Sequence, residues 1–347
     1  MHRGGTVQVT QGNVDSRSLP ESQHHPLTTP TYWGYRLYAL PQTAWGALAV
    51  LIRAELTVVA ALPALLGALL AWWQFSRLDP VALFFTVLGS LTVAWGFHAL
   101  VEYFDYQHSL QTDTSGLAQP FVTGYTLLRR GVIRPVVVRN LGILLLAGAT
   151  LCCLSLYLFV GWPILFFYSM VLLSLAIQLL LPMGSPLRAW GLGEVGLFLG
   201  MGLLPTVASY YIQSRALTWL PIWLSLPLGL LVVVIYLNYN FAHQRRDWLI
   251  RKRTLNVTLG LARALDLSAL LSLLAYVAIL LGVSLTELPL WALLGLAPLP
   301  VALRTFAFIR RERLAPEECF QLYGTAIHAT VLTGFCLAVA LGLDWLL

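Results

Sequence analysis

Nine long runs of apolar residues follow one another along this chain, separated by short polar breaks. Each run is about 20 residues long, the length that an α-helix needs to cross the hydrocarbon core of a bilayer. Because backbone groups in lipid must be satisfied within the segment, runs of this length are helices and not barrel strands. The runs are residues 51–73, 81–104, 136–156, 160–182, 192–212, 218–242, 261–283, 287–309 and 321–346. The third and fourth runs almost touch at residues 161–163, and a count of eight spans therefore stays open.

The composition excludes a water-soluble globular protein. Only 10% of the 347 residues are charged and 58% are hydrophobic, whereas soluble domains carry about 25% charged residues. So few charges cannot cover the surface of a soluble body of this size, and most of the exterior must face lipid. The sequence therefore predicts an all-α, polytopic membrane protein whose surroundings are the lipid bilayer.

The basic residues are concentrated on one side of the predicted topology. With nine spans, 19 of the 21 Lys and Arg residues fall at the N-terminus or near the loops after even-numbered spans, and only Arg77 and Arg215 fall on the other side. Basic loops remain in the cytoplasm during insertion. We therefore predict a multi-pass protein of the cell (inner) membrane with a cytoplasmic N-terminus. The net charge of +6 is explained by these loops, and no nucleic acid is expected as a partner.

The chain divides into two parts. Residues 1–46 begin with a polar, proline-containing stretch that lacks the basic region and apolar run of a signal peptide. This composition predicts a disordered cytoplasmic tail. Residues 47–347 contain all nine apolar runs and form the transmembrane domain.

The second span ends in a group of ionisable residues. His98 and Glu102 are four residues apart, and Glu102 and Asp105 are three apart. On a helix, all three side chains project from one face. Ionisable residues at membrane helices are costly, and they are therefore candidates for a functional site.

The sixth span ends in a similar group, formed by Asn240, His243 and Asp247 with spacings of three and four. Both groups lie at predicted cytoplasmic helix ends, beside basic loops. Two facing clusters of this kind could hold a divalent metal against a bound anion. The alternative, that these are interfacial residues that merely flank the spans, stays open.

Several stretches resemble the UbiA superfamily of intramembrane aromatic prenyltransferases, and in particular its menaquinone branch, the 1,4-dihydroxy-2-naphthoate polyprenyltransferases. The resemblance covers the chain from about residue 47 to the C-terminus. It is carried by IRAELTVVAALPALLGALLAWW at 52–73, EYFDY at 102–106, RRGVIRPVVVRN at 129–140, LRAWGLGEVGLFLGMGLLPTVASYYIQS at 187–214 and RKRTLNVTLGLARA at 251–264.

The resemblance implies nine helices around a central cavity open to the cytoplasmic face. It implies transfer of a polyprenyl group from a polyprenyl diphosphate to a dihydroxynaphthoate-like aromatic acceptor in quinone biosynthesis, assisted by Mg²⁺ (or Mn²⁺). The implied catalytic residues are Glu102, Asp105 and Asp247. The implied metal ligands are Glu102, Asp105, His243 and Asp247. The implied substrate-binding residues are Arg53, His98, Glu194, Asn240, Arg245, Arg246 and Lys252.

Three of the six motif positions depart from the family pattern. Glu102 and His243 stand where the family has aspartates, and His98 stands where it has asparagine. Imidazole is a softer ligand than Mg²⁺ prefers. Two other function classes therefore stay open. One is a catalytically silent member that binds quinone, pigment or isoprenoid lipid, as a subunit of a larger membrane complex. The other is a transporter, which the position of the acids at one membrane face disfavours.

Overall fold

The computed structural model of the protein describes residues 40–110 and 122–347, and the backbone of residues 31–32 and 35–36. Most of the predicted tail, residues 1–46, lies outside the described residues. Within it, Thr31–Tyr32 and Tyr35–Arg36 form a two-residue antiparallel strand pair. Everything described after residue 40 is built from helices and their connections.

Nine helices of the described chain are long and apolar enough to cross a membrane, which confirms the predicted all-α, nine-span fold. We number them as spans one to nine in chain order. They are Ala54–Phe75, Pro80–Ser109, Pro135–Val160, Pro163–Leu180, Leu192–Ser214, Leu220–Leu249, Leu261–Leu285, Leu290–Phe308 and Pro316–Leu346.

Spans three and four are separate helices. Gly161 ends span three with φ 82°, a left-handed conformation that glycine adopts at little cost. Pro163 then opens span four, where its fixed φ and missing N–H suit the first helical turn. This break excludes the eight-span count and preserves the predicted alternation of basic loops.

Spans five and eight are irregular. Span five consists of the helix Leu192–Phe198, a π-helical turn Leu199–Leu203 and the helix Leu204–Ser214. Span eight combines two 3₁₀ segments, Leu290–Leu296 and Leu303–Phe308, with a short α-helical turn between them. π-helical turns are often found at functional sites, and this one lies against span six.

Short helices flank the spans. One, Ala44–Ile52, leads into span one, which itself opens with the 3₁₀ turn Ala54–Leu56 and continues as Thr57–Phe75. The others are Gly124–Arg129, Pro186–Ala189 and Leu255–Leu259.

Burial divides the spans into central and peripheral ones. In the most apolar window of span six, 78% of the residues are buried, and spans one and five follow with 61% each. Spans three and four have only 22% and 28%, and their exposed leucines, valines and phenylalanines present an apolar surface suited to lipid. Span six is therefore the axis against which the other elements position the polar site.

Candidate functional site

A cavity of about 580 Å³ lies where spans two and six end, close to the start of span one. Within the described chain, its wall combines cations, carboxylates and the rings of Tyr236 and Tyr239. The charged residues that line it are Arg53, Asp105, Arg188, Glu194, Arg246 and Lys252.

Glu102 lies behind this wall, and both of its oxygens are occupied. Its Oε1 accepts a hydrogen bond from Arg53 Nη2 at 2.8 Å and a longer one, at 3.4 Å, from the Tyr239 hydroxyl. Its Oε2 accepts the backbone N–H of Tyr125 at 2.8 Å. Tyr125 belongs to the first turn of Gly124–Arg129, where backbone N–H groups lack helical partners. Glu102 therefore fixes this helix N-terminus to span two.

Arg53 reaches Glu102 from a turn in the backbone. It has φ 52° and separates the helix Ala44–Ile52 from span one. Its guanidinium lies 3.9 Å from the centroid of the Tyr239 ring, a cation–π contact that stabilises a buried charge. Only 6% of Arg53 is exposed. The predicted substrate-binding arginine is thus held at the cavity by span two and by span six.

Asp105 and Asp247, one from each motif, are brought together by Arg246. The Arg246 Nη2 atom lies 3.1 Å from Asp105 Oδ2 and 2.8 Å from Asp247 Oδ1. Lys252 Nζ donates to both oxygens of Asp105 at 2.7 Å. All four side chains are buried, and the two motifs are joined through an internal cation.

The turn after span six places Lys252 over Asp105. Arg251 adopts a left-handed conformation with φ 57°, and the Lys252 N–H donates to the Asp247 carbonyl at 2.7 Å. The next N–H, of Arg253, donates to the carbonyl of Met183 at 2.8 Å. These bonds turn the chain back, so that the ammonium group points toward the end of span two.

The two motif histidines are engaged within the protein. His98 Nδ1 lies 3.1 Å from the Ile52 carbonyl, and Nε2 pairs with the Tyr236 hydroxyl. Since a carbonyl only accepts, Nδ1 carries the proton and Nε2 accepts from Tyr236. His243 is 1% exposed, and its ring centroid lies 4.6 Å from that of Tyr239. It is absent from the residues that line the cavity wall in the described chain.

The remaining predicted residues divide between the cavity and the surface. Asn240 and Glu194 line the cavity. Arg245, which was predicted to bind substrate, is not among the described residues that line this cavity. It is exposed and lies in a separate surface depression beside Trp248. Successive helical residues point about 100° apart, and this phase places Arg246 and Asp247 on the buried side of span six and Arg245 on its exposed side.

The residues present do not fit Mg²⁺ held by the predicted ligand set. Among the described residues, no group of three or more His, Cys, Asp and Glu side chains is arranged to hold a metal ion. Asp105 alone of the four predicted ligands lines the cavity. Of the motif carboxylate oxygens, only Asp247 Oδ2 lacks a hydrogen-bond partner in the described chain. Mg²⁺ is usually bound by one or two carboxylates together with waters and substrate phosphates, but here Asp105 is paired with Arg246 and Lys252, and only one oxygen of Asp247 is left unpaired in the described chain.

Sequence reasoning missed Arg188, Tyr236 and Tyr239. Arg188 is 3% exposed although it lies in a loop between spans, where the sequence had assigned it only to the basic loops. Tyr236 stands one helical turn before Asn240, and its spacing of four from that residue could have revealed it. Tyr239 stands four residues before His243, and the same spacing could have revealed it, whereas its contact with Arg53 depends on how span six packs beside the turn at Arg53.

A second, apolar cavity of about 670 Å³ lies among spans one to five, with a wall that includes Phe85, Cys152 and Phe167. A smaller space of about 260 Å³ lies between the two cavities. It shares His98 and Tyr236 with the polar cavity. It shares Ala60 and Met201 with the apolar one. Charged and apolar binding space therefore adjoin each other inside the bundle.

Comparison with known proteins identifies related sequences and folds. The 1,4-dihydroxy-2-naphthoate octaprenyltransferase of Mycobacterium leprae (strain TN) is 29% identical over 142 residues, which are 41% of this chain and 47% of that protein. The chain therefore aligns with about half the length of this relative. The enzyme of the same name from Bacillus subtilis (strain 168) is 25% identical over 232 residues, 65% of this chain and 70% of that protein.

Solved structures show the same fold at low sequence identity. A UbiA homologue from Archaeoglobus fulgidus bound to DMAPP and Mg²⁺ matches with a TM-score of 0.55 and 15% identity, over 84% of this chain and 99% of that one. Digeranylgeranylglyceryl phosphate synthase matches with a TM-score of 0.53 and 14% identity, over 86% and 98%. The UbiA prenyltransferase family model matches residues 60–331. With this match over most of its length, the chain belongs to the UbiA prenyltransferase family.

Proposed function

We propose that this protein transfers a polyprenyl group from a polyprenyl diphosphate to an aromatic acceptor within the membrane. The observation that carries the proposal is the position of four buried cations, which line a cavity whose far side adjoins an apolar one. This arrangement matches the two halves of a polyprenyl diphosphate, one anionic and one hydrocarbon. Membership of the UbiA prenyltransferase family supports the same reaction class.

The cations on the cavity wall would bind the diphosphate. Guanidinium groups match phosphate oxygens with paired N–H donors, and the lysine ammonium adds a compact charge. Arg53 and Lys252 lie on the cavity wall, where they would bind the diphosphate and stabilise its growing charge as it leaves. Asp105 and Asp247 hold Lys252 and Arg246 in place, a positioning role within this proposal.

The reaction that follows is substitution at an allylic carbon. The bond between this carbon and the diphosphate oxygen breaks, and both electrons leave with the diphosphate. An electron-rich ring carbon of the acceptor attacks the allylic cation, and the ring then loses a proton. Water would quench this cation, and the burial of the cavity in the bundle serves to exclude it.

The acceptor in this proposal is dihydroxynaphthoate-like, and the product is a quinone precursor. Support comes from the two naphthoate octaprenyltransferases among the relatives. Asn240 and Glu194 line the cavity and would orient the acceptor by hydrogen bonds. The protein would lie in the inner membrane with its N-terminus and the cavity mouth on the cytoplasmic side, as the basic loops indicate.

No step of this proposal passes through Mg²⁺. A solved relative contains Mg²⁺ together with a prenyl diphosphate. In the described part of this chain, however, the predicted ligands are not arranged as a group that could hold a metal ion. The same observation favours a second candidate function, a catalytically silent family member that binds quinone, pigment or isoprenoid lipid. In that protein, Arg246 between Asp105 and Asp247 would be purely structural.

The two candidates are separated by a transfer assay on the full chain in lipid nanodiscs. Octaprenyl diphosphate and 1,4-dihydroxy-2-naphthoate are supplied with Mg²⁺, with Mn²⁺ or with EDTA, and prenylated product is detected by mass spectrometry. We expect product from the wild type and an equal amount from Arg215→Gln, because Arg215 is exposed and follows the end of span five opposite to Glu194. We expect a large loss of product in Arg53→Gln. Absence of product under all three conditions, with isoprenoid lipid co-purifying, would establish the silent binder instead.

A further inference from the structure

Tyr236 and His98 lie where the polar cavity meets the small space that leads to the apolar cavity. Of the described residues, these two line both the polar cavity and the small space. The other described residues around the small space are apolar. The two side chains meet in one hydrogen bond, between the Tyr236 hydroxyl and His98 Nε2. This hydroxyl therefore lies at the boundary between polar and apolar space.

The hydrogen of the Tyr236 hydroxyl is committed to His98. The Ile52 carbonyl, 3.1 Å from Nδ1, can only accept, and the ring hydrogen therefore sits on Nδ1. His98 is 2% exposed and forms no ion pair with a carboxylate in the described chain. Because burial of an unpaired charge is costly, the ring is neutral, and Nε2 accepts from Tyr236.

A hydroxyl in this state offers a ligand only its lone pairs. Tyr236 is half-buried, and in the described chain its hydroxyl has no hydrogen-bond partner besides His98. A tyrosine hydroxyl carries a single hydrogen, which is already used. The ligand atom that lies beside it must therefore bring a hydrogen of its own. An O–H group of a ligand satisfies this condition, and an ether oxygen does not.

The proposed function places the reacting carbon at this boundary. The allylic carbon of a polyprenyl diphosphate joins the anionic group to the hydrocarbon chain. If the polar cavity holds the anionic group and the apolar spaces hold the chain, this carbon lies beside Tyr236 and His98. The attacking ring carbon must come within about 3–3.5 Å of it. The acceptor ring therefore lies next to the Tyr236 hydroxyl.

We propose that Tyr236, oriented by His98, accepts a hydrogen bond from a ring hydroxyl of the aromatic acceptor and thereby selects phenolic acceptors over their ethers. The inference rests on the proposed function for the identity of the ligand. Tyr236 determines specificity, and His98 is a positioning residue. A site built to pair with a substrate hydroxyl discriminates strongly against an analogue that lacks it, because its buried polar group is then left unpaired. The same hydrogen bond increases electron density on the ring that attacks.

A purely structural role is the competing explanation. The bond between His98 and Tyr236 joins span two to span six, across 138 positions of the chain. In that role, its loss would lower the melting temperature and would reduce transfer to every acceptor in the same proportion. The ratio of rates with a hydroxylated acceptor and with its ether would not change. This ratio therefore separates recognition from structural support.

The test is prenyl transfer by the full chain in lipid nanodiscs, with octaprenyl diphosphate as donor. The acceptors are 1,4-dihydroxy-2-naphthoate and its two monomethyl ethers. In the wild type, we expect kcat/KM for one ether to be at least about fivefold below that for the diol, because a buried polar group is left unpaired. In Tyr236→Phe, which removes that group, the ratio for this ether should approach one.

Tyr276→Phe is the matched control. Tyr276 is also a buried tyrosine of the bundle, and its hydroxyl pairs with that of Thr333 at 3.1 Å. It is absent from the described wall of the polar cavity. Its ratio of diol to ether should equal that of the wild type. His98→Leu frees the hydrogen of Tyr236 to bond an ether oxygen, and this variant should use the ether better relative to the diol.

The outcomes distinguish this inference from the proposed function. Transfer with equal kcat/KM for the diol and both ethers in the wild type, or with an unchanged ratio in folded Tyr236→Phe, refutes the inference alone. If Tyr236→Phe does not fold, the wild-type ratio and His98→Leu decide. If no acceptor is prenylated, calorimetry measures binding of the same three compounds. A preference for the diol that depends on Tyr236 then refutes the proposed function alone, and absence of binding refutes both.

Discussion

Arg246 joins the end of span six to the end of span two, with its Nη2 atom 3.1 Å from Oδ2 of Asp105, a residue 141 positions earlier in the chain. Arg246 is 4% exposed. In a buried setting, a bond of this kind fixes geometry more reliably than it adds stability, because desolvation offsets much of the attraction. The two motifs are therefore held in register by an internal cation.

Replacing Arg246 by Gln should be strongly destabilising. The change leaves the buried carboxylate of Asp247 without its cation, and breaking a buried pair from one side costs about 3–5 kcal/mol. Thermal unfolding in detergent, followed by circular dichroism, measures this loss. Arg245→Gln is the control, since that neighbouring arginine is exposed and its replacement should have little effect. Equal melting temperatures for the two variants would contradict the bridging role.

Replacing Glu102 by the aspartate of the family motif should lower the thermal stability of the protein rather than raise it. Glu102 reaches Arg53 and the Tyr125 N–H at the same time, each at 2.8 Å. An aspartate is one methylene shorter and cannot keep both contacts, and a buried donor left unsatisfied costs about 1–3 kcal/mol.

The measurement is the melting temperature of Glu102→Asp beside that of Glu287→Asp, an exposed site between spans seven and eight. We expect a decrease only at position 102, together with reduced prenyl transfer. A gain of activity in Glu102→Asp would show that the carboxylate acts as a metal ligand and not as a helix anchor.

Close packing of spans five and six depends on the absence of a side chain at Gly202. A Cβ atom there would lie 2.4 Å from the Cα atom of Gly229, far inside van der Waals contact. Gly202→Ala should therefore separate the two spans and destabilise the protein by about 1–3 kcal/mol, as overpacking does. Gly148→Ala is the control, because nothing lies within 4 Å of its added Cβ. A melting temperature unchanged by Gly202→Ala would show that these spans move apart freely.

The fold could be predicted from sequence because lipid leaves few alternatives. An apolar run of about 20 residues must be a helix, and the nine predicted runs correspond to the nine observed spans. The spacing in each motif predicted that its side chains share one helix face, and the structure shows that Asp105 and Asp247 are both buried. In contrast, the partners of those carboxylates depend on contacts between spans two and six and on the turn at Arg251. No local pattern encodes such contacts.

The positions of the arginines likewise depend on packing that no local sequence pattern encodes. Arg245 and Arg246 are chemically identical neighbours, and only helix phase decides which of them enters the cavity. Counting charges for topology assigned Arg188 to a cytoplasmic loop, although its side chain is buried against the end of span four. The sequence shows that a loop is basic, and the packing of the loop decides which of its cations lines the cavity.

Met201 stands at the junction of the apolar cavity and the small space beside His98 and Tyr236. It belongs to the π-helical turn of span five and is 8% exposed. If the polyprenyl tail passes from the polar to the apolar cavity, a larger side chain at this position would obstruct it. Met201→Trp should therefore lower kcat/KM for octaprenyl diphosphate far more than for dimethylallyl diphosphate, whose five-carbon chain does not extend that far.

The comparison requires both donors in the same transfer assay, with Leu158→Trp as the control. Leu158 is 82% exposed on span three, and tryptophan there should leave both rates unchanged. An equal decrease of kcat/KM with both donors in Met201→Trp would indicate general damage to the helix bundle. If the rate with octaprenyl diphosphate is retained, the tail must follow another path, because a side chain larger than methionine at the junction leaves too little space for hydrocarbon to pass.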